Sequence, residues 1–126
     1  MDENEIREAK EYLEGNINDY MRMIQNIGMN GLAASLLMNY RDEIQDLMTE
    51  LAQNRADISE QRKKVIALDN ELRKKAQIYV NEVGHANFKQ YQIVNNPSRE
   101  RWWWYLNKVT MGRPEDNKKG FWEFWK

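Results

Sequence analysis

At 126 residues, with 31% charged residues and a net charge of −1, the chain is sized for one domain with a modest core and a mixed, well-solvated surface. It has no cysteine, which excludes a disulfide framework and thiol chemistry, and no run of about 18 apolar residues that would make a transmembrane helix. The opening Met1-Asp2-Glu3-Asn4-Glu5 is acidic and lacks the apolar stretch of a signal peptide, so a cytoplasmic location is expected, in the host cytoplasm or a virion if the chain is viral.

Charge and aromatics are spread unevenly. Residues 1–84 carry eleven Lys/Arg against sixteen Asp/Glu, a balance of −5, whereas residues 85–126 carry eight against four, a balance of +4. All five tryptophans lie at or after Trp102. The chain therefore reads as an acidic helical rod with a basic, aromatic tail.

Asp2 to Ile27 predicts a first helix. Ile6, Ala9, Leu13, Ile17, Tyr20, Ile24 and Ile27 give it one apolar face, and Asp2, Glu3, Glu5 and Glu8 favour the positive end of its dipole. Gly15 in its middle is either a tolerated weakness or a point of close approach for another helix. Gly28-Met29-Asn30-Gly31 is a turn, with Gly28 suited to a left-handed C-cap and Asn30 to capping the next helix. A turn this short makes antiparallel neighbours.

From Asn30 to Val83 there is no proline and no glycine after Gly31. Leu37, Ile44, Leu47, Leu51, Ile58, Val65, Leu68, Leu72, Ala76, Tyr79 and Val83 recur at helical steps, which predicts one long amphipathic helix on the order of 75–80 Å in length. The first helix covers only half of it. Either the remaining seam pairs with a second copy or another protein, or the helix breaks near Asn54–Asp57 and folds into a three-helix bundle, with Asp57 and Glu60 as a capping box. The lack of glycine or proline there favours a continuous helix. Asn54 and Gln61 then sit in the seam, where polar residues fix register or partner number. Ile58, Val65, Leu68, Leu72 and Tyr79 are the expected oligomer seam.

Gly84 interrupts the helix, and residues 84–97 read as a linker. His85, the only histidine, follows it. Glu82 and His85 match the Glu-x-x-His spacing of bundle metal sites once, and such sites need two copies, so no metal is expected. Asn95-Asn96-Pro97 ends whatever Phe88, Tyr91, Ile93 and Val94 form.

Residues 98–126 read as a docking tail. Ser98 can cap a short helix to about Thr110, in which Trp102, Tyr105, Leu106 and Val109 share a face while Trp103 and Trp104 point away. Aromatics around most of a circumference imply contact on two sides. A polar connector follows Gly112 and Pro114, and Phe121, Trp122, Phe124 and Trp125 crowd the last six residues. Arg99, Arg101, Trp102, Trp103, Trp104 and Tyr105, with Phe121, Trp122, Phe124 and Trp125, are the expected partner-binding residues, because Trp beside Arg is the composition of interface hot spots. Three other uses compete: a membrane surface, single-stranded nucleic acid, which the acidic rod disfavours, and sealing of the protein's own bundle.

The fold class that emerges is all-α: a helical hairpin over residues 1–83 with one long coiled-coil-like helix, followed by a short aromatic-rich C-terminal helix and tail. The sequence contains no glycine-rich phosphate loop, nucleophile elbow or His/Cys cluster. A non-enzymatic assembly or interaction protein is expected, without cofactor or small-molecule substrate, binding a protein partner or itself. Viral or phage assembly factors, small inhibitors and adaptor subunits share this general form.

Overall fold

The computed structural model describes residues 1–29 and 36–111. Among them are six α-helices and no strand: α1 (Glu3–Gln25), α2 (Leu36–Gln53), α3 (Ser59–Lys74), α4 (Ala76–Val83), α5 (His85–Asn95) and α6 (Leu106–Met111), with a 3-10 turn at Trp102–Trp104. The all-α class and the folding of the first helix onto the second are as expected.

α1 starts on a capping box. The Glu5 N–H donates to Asp2 Oδ1 at 2.8 Å and the Asp2 N–H donates to Glu5 Oε1 at 3.1 Å. That satisfies two of the helix's orphan donors, a feature worth about 1 kcal/mol. Leu13, Ile17, Tyr20 and Ile24 form its buried face. Past its end Gly28 adopts φ +93°, the left-handed geometry anticipated for it, and its N–H donates to Glu82 Oε2 at 2.6 Å. The turn residues Asn30–Ser35, including the expected cap Asn30, lie outside the described residues.

The Met1 amino group donates to Asn54 Oδ1 at 3.1 Å, which sets the start of α1 beside the end of α2 and makes the pair antiparallel. α3 runs alongside α1 in the same direction. Glu14 meets Lys64 at 3.7 Å, Tyr20 meets Asp69 at 2.7 Å, and the Ile24 carbonyl accepts from Lys75 Nζ at 3.0 Å. α1 thus packs against both α2 and α3, an up-down-up arrangement.

The continuous long helix is therefore corrected: residues 36–83 form three helices, not one. The first break is a Schellman motif. The Ala56 N–H donates to the Leu51 carbonyl and the Arg55 N–H to the Ala52 carbonyl, both at 3.0 Å, and Arg55 holds φ +62°. Glycine is the usual residue at that left-handed position, and an arginine there leaves no breaker in the sequence. Just ahead of α3, Asp57 Oδ1 accepts from the Ser59 N–H at 3.1 Å and the Ser59 hydroxyl at 2.6 Å, in place of the expected Asp57–Glu60 box. The second break is at Lys75, whose ammonium donates to the Ile24 carbonyl at the end of α1. The third is Gly84, at φ +95°, where a break was expected.

These breaks let the chain cover its own seam. Ile58, Val65, Leu72 and Tyr79 are all buried in the intramolecular core, and Leu68 packs at its edge. The segment 84–97 is mostly the helix α5, whose Phe88 ring meets Tyr79 edge-on at 5.9 Å. Asn96, in a left-handed conformation, ends it just before Pro97.

Replacing Arg55 by glycine should raise stability by about 0.5–1 kcal/mol, the relief of a left-handed side chain less the larger unfolded-state entropy of glycine. Urea denaturation followed by far-UV circular dichroism measures this, and a loss of stability would show that the Arg55 side chain holds the turn.

Candidate functional site

The expected helix over residues 98–110 is also corrected. Ser98 starts a turn, with its hydroxyl accepting from the Glu100 N–H and its carbonyl from the Arg101 N–H, and Trp102–Trp104 form a tight 3-10 turn before α6. The physical reason lies in the side chains. A 3-10 turn of three residues spreads consecutive side chains about 120° apart, and all three indoles find cover: Trp102 is 5%, Trp103 2% and Trp104 3% exposed. Trp103 and Trp104, expected to point outward, are core.

Asp42 on α2 holds this turn in place. Its Oδ1 accepts from the Trp103 indole N–H at 2.8 Å, from the Trp104 indole N–H at 2.9 Å and from Arg101 Nη1 at 2.9 Å. Arg101 also bonds Asp46, one helical turn further on. Burial pulls the Arg101 pKa down, but its bonds to Asp46 and Asp42 outweigh that and hold it above the ordinary value. Arg41 of α2 lies 4.2 Å from the Trp103 ring centre, and Arg73 of α3 lies 4.1 Å from that of Trp102. Each such stack is worth about 0.5–2 kcal/mol. Trp104 meets Tyr91 of α5 edge-on at 6.3 Å, and Gln92 Nε2 donates to the Trp104 carbonyl and to Asn107 Oδ1, both at 2.8 Å.

Behind the tryptophans is a buried polar junction. Arg41 Nε and Nη2 donate to the two carboxylate oxygens of Asp69 at 2.9 and 3.0 Å, and the Tyr20 hydroxyl donates to Asp69 Oδ1 at 2.7 Å. One side chain from each of α1, α2 and α3 meets there. Burial and the Asp69 charge raise the Tyr20 pKa well above the ordinary tyrosine value, and burial raises that of Tyr79.

The partner-binding residues read from the sequence thus divide. Trp102, Trp103, Trp104 and Tyr105 are buried against the chain's own helices, Arg101 bridges to α2, and Arg99 is exposed. Phe121, Trp122, Phe124 and Trp125 lie outside the described residues. The oligomer seam residues are core. His85 opens α5, and Glu82 serves Gly28 instead of pairing with it. No group of three or more His, Cys, Asp or Glu among the described residues could hold a metal ion, and none of their helices is long and apolar enough to cross a membrane.

Among the described residues, one open groove of about 520 Å³ lies between α1 and α2. α1 supplies Tyr12, Gly15, Asn16 and Asp19; α2 supplies Asn39, Tyr40 and Glu43. A Cβ built on Gly15 would meet nothing within 4 Å, so no element of the described chain uses the close approach that this glycine allows. Beside it Asn16 is only 8% exposed, yet its Nδ2 has no hydrogen-bond partner. A buried amide donor without an acceptor costs about 1–3 kcal/mol. The groove's charged residues are Asp19 and Glu43, both acidic; Asp19 also pairs with the exposed Arg22 at 2.9 Å. Of these residues the sequence reading singled out only Gly15. A polar Asn16 immediately preceding Ile17 on the apolar face was the further signal available.

No protein-family model, curated protein or solved structure matches this chain. The fold and site define an all-helical bundle built on a hairpin and sealed by an aromatic turn.

Two measurements test this site. Asp42→Ala leaves two indole N–H groups buried without an acceptor and should cost about 2–5 kcal/mol in urea denaturation followed by tryptophan emission, with Asp42→Asn milder; equal and small losses would mean that the Asp42 bonds are dispensable. Because the folded state raises the Tyr20 and Tyr79 pKa values, their contribution is whole below the ordinary tyrosine range and is lost as pH rises through it, when the unfolded phenols ionise first. Tyr20→Phe should make that alkaline loss of stability shallower, and an unchanged slope in pH-dependent thermal melts would contradict the assignment.

Proposed function

We propose that this chain is a non-enzymatic helical interaction protein that docks a partner protein in the groove between α1 and α2. The observation that carries this reading is the buried, unpartnered Asn16 amide beside the open Gly15. A folded chain keeps an unsatisfied donor at a cost, which an acceptor on a docked partner relieves once the Asn16 side chain turns toward the groove. A mid-helix glycine adds up to about 1 kcal/mol of its own, and the space above it admits another backbone.

This reading moves the interface away from the residues first expected to form it. The seam of α3 and α4 and the Trp102–Trp104 turn supply internal cohesion. They leave the outer face of the hairpin as the docking surface. The aromatic residues 121–125 remain a second docking element on sequence grounds. An assembly role, with a second copy or another protein as partner, falls within this class.

The absence of cysteine makes the test clean. Gly15→Cys carrying a maleimide benzophenone should photo-crosslink a discrete partner protein from the source cell extract. The same label at Glu71→Cys on α3 should not. Equal crosslinking at both positions, or none at Gly15→Cys, would remove the groove as the interface.

A further inference from the structure

We infer that the occupant of the α1–α2 groove is a basic peptide segment, one arginine or lysine of which enters between the two helices while its backbone carbonyl accepts from Asn16. This deepens the reading just given and rests on it. Three features of the groove select the ligand. Asn16 Nδ2 is a buried donor without a partner, so the Asn16 side chain gains a hydrogen bond by turning toward a ligand that brings an acceptor. A peptide carbonyl does this without adding negative charge.

The second feature is charge. Asp19 and Glu43 line the groove and no cationic side chain does. The helices behind them are acidic as well: α1 carries six Asp/Glu to three Lys/Arg and α2 four to one, and that one, Arg41, is spent inside on Asp69. A phosphate or carboxylate ligand would be repelled, whereas a cation is drawn in and oriented. The third feature is the pair of tyrosines that line the groove, Tyr12 and Tyr40, a residue type that stacks on guanidinium or ammonium groups. Gly15 supplies the floor, bare enough for the peptide main chain to approach.

The test uses the full chain and an acetylated, amidated hexapeptide of alternating arginine and alanine, with a second peptide in which citrulline replaces arginine. Titration followed by two-dimensional ¹⁵N–¹H NMR should shift the Gly15 backbone and Asn16 side-chain amides, and the citrulline peptide should bind at least tenfold more weakly. Gly15→Leu fills open space on a helix and should fold, yet weaken the arginine peptide at least tenfold. Asn16→Leu removes the unpaired donor and should raise the melting temperature while also weakening the peptide. Shifts spread over the acidic surface that bypass Gly15 and Asn16, or affinity unchanged in Gly15→Leu, would overturn the inference. So would equal binding of the citrulline peptide. If the peptide fails while the Gly15→Cys label still captures a discrete protein, the groove is an interface and only the basic occupant is wrong.

Discussion

The pair formed by Arg41 and Asp69 sets the terms for the rest of this molecule. Two opposite charges, nearly excluded from water, lie between α2 and α3, and the Tyr20 hydroxyl from α1 completes the Asp69 coordination. Taking such ions out of water is costly, and a buried pair recovers that cost only with close geometry and further hydrogen bonds. Here the fork of Arg41 is bidentate, and its face is covered by the Trp103 ring. The junction therefore selects one register among the three helices. A slide of α3 by one turn would leave Asp69 alone in the core. The tryptophan turn belongs to the same unit, because without Trp102 and Trp103 the upper faces of Arg73 and Arg41 would lose their aromatic cover.

That dependence explains which parts of the fold could be read from residues alone. The apolar steps of α1, the left-handed Gly28, the interruption at Gly84 and the stop at Asn96-Pro97 all follow from local chemistry, and all are present. The break after Gln53 falls where the sequence offers one, near Asn54–Asp57, but an arginine occupies the left-handed position that glycine usually takes, so periodicity alone favours a continuous helix. A continuous helix leaves the seam of α3 without internal cover and points it to a second molecule, whereas the break lets the bundle bury it. The seam register holds at Ile58, Val65, Leu72 and Tyr79 and differs at one position: Asp69 is more deeply buried than Leu68, because its charge is answered by Arg41, twenty-eight residues earlier. Opposite charges at core-facing positions of two helices were the signal, and periodicity of apolar residues passes over it.

The aromatic turn gives a similar lesson. Three consecutive tryptophans do imply contact on more than one side. The second side proved to be α2 and α3 of the same chain, reached through Asp42 and two arginines. The groove was the least legible feature, since it is defined by what is missing: a Cβ at Gly15 and an acceptor for Asn16. Neither absence has meaning until the neighbouring helix is in place. Such departures from locally consistent packing gather where a protein meets something else.

Asp42 receives its indole donors from residues 61 and 62 positions later in the chain. During synthesis α1, α2 and α3 leave the ribosome ahead of the Trp102–Trp104 turn that covers them. Until that turn arrives, Arg41 and Arg73 lack the aromatic cover they have in the finished fold. Closing so long a loop is entropically slow compared with joining neighbouring helices. The last described turn is thus the clasp of the fold, and the interval before it shuts is when a chaperone or a stray neighbour has its best access to the unfinished core.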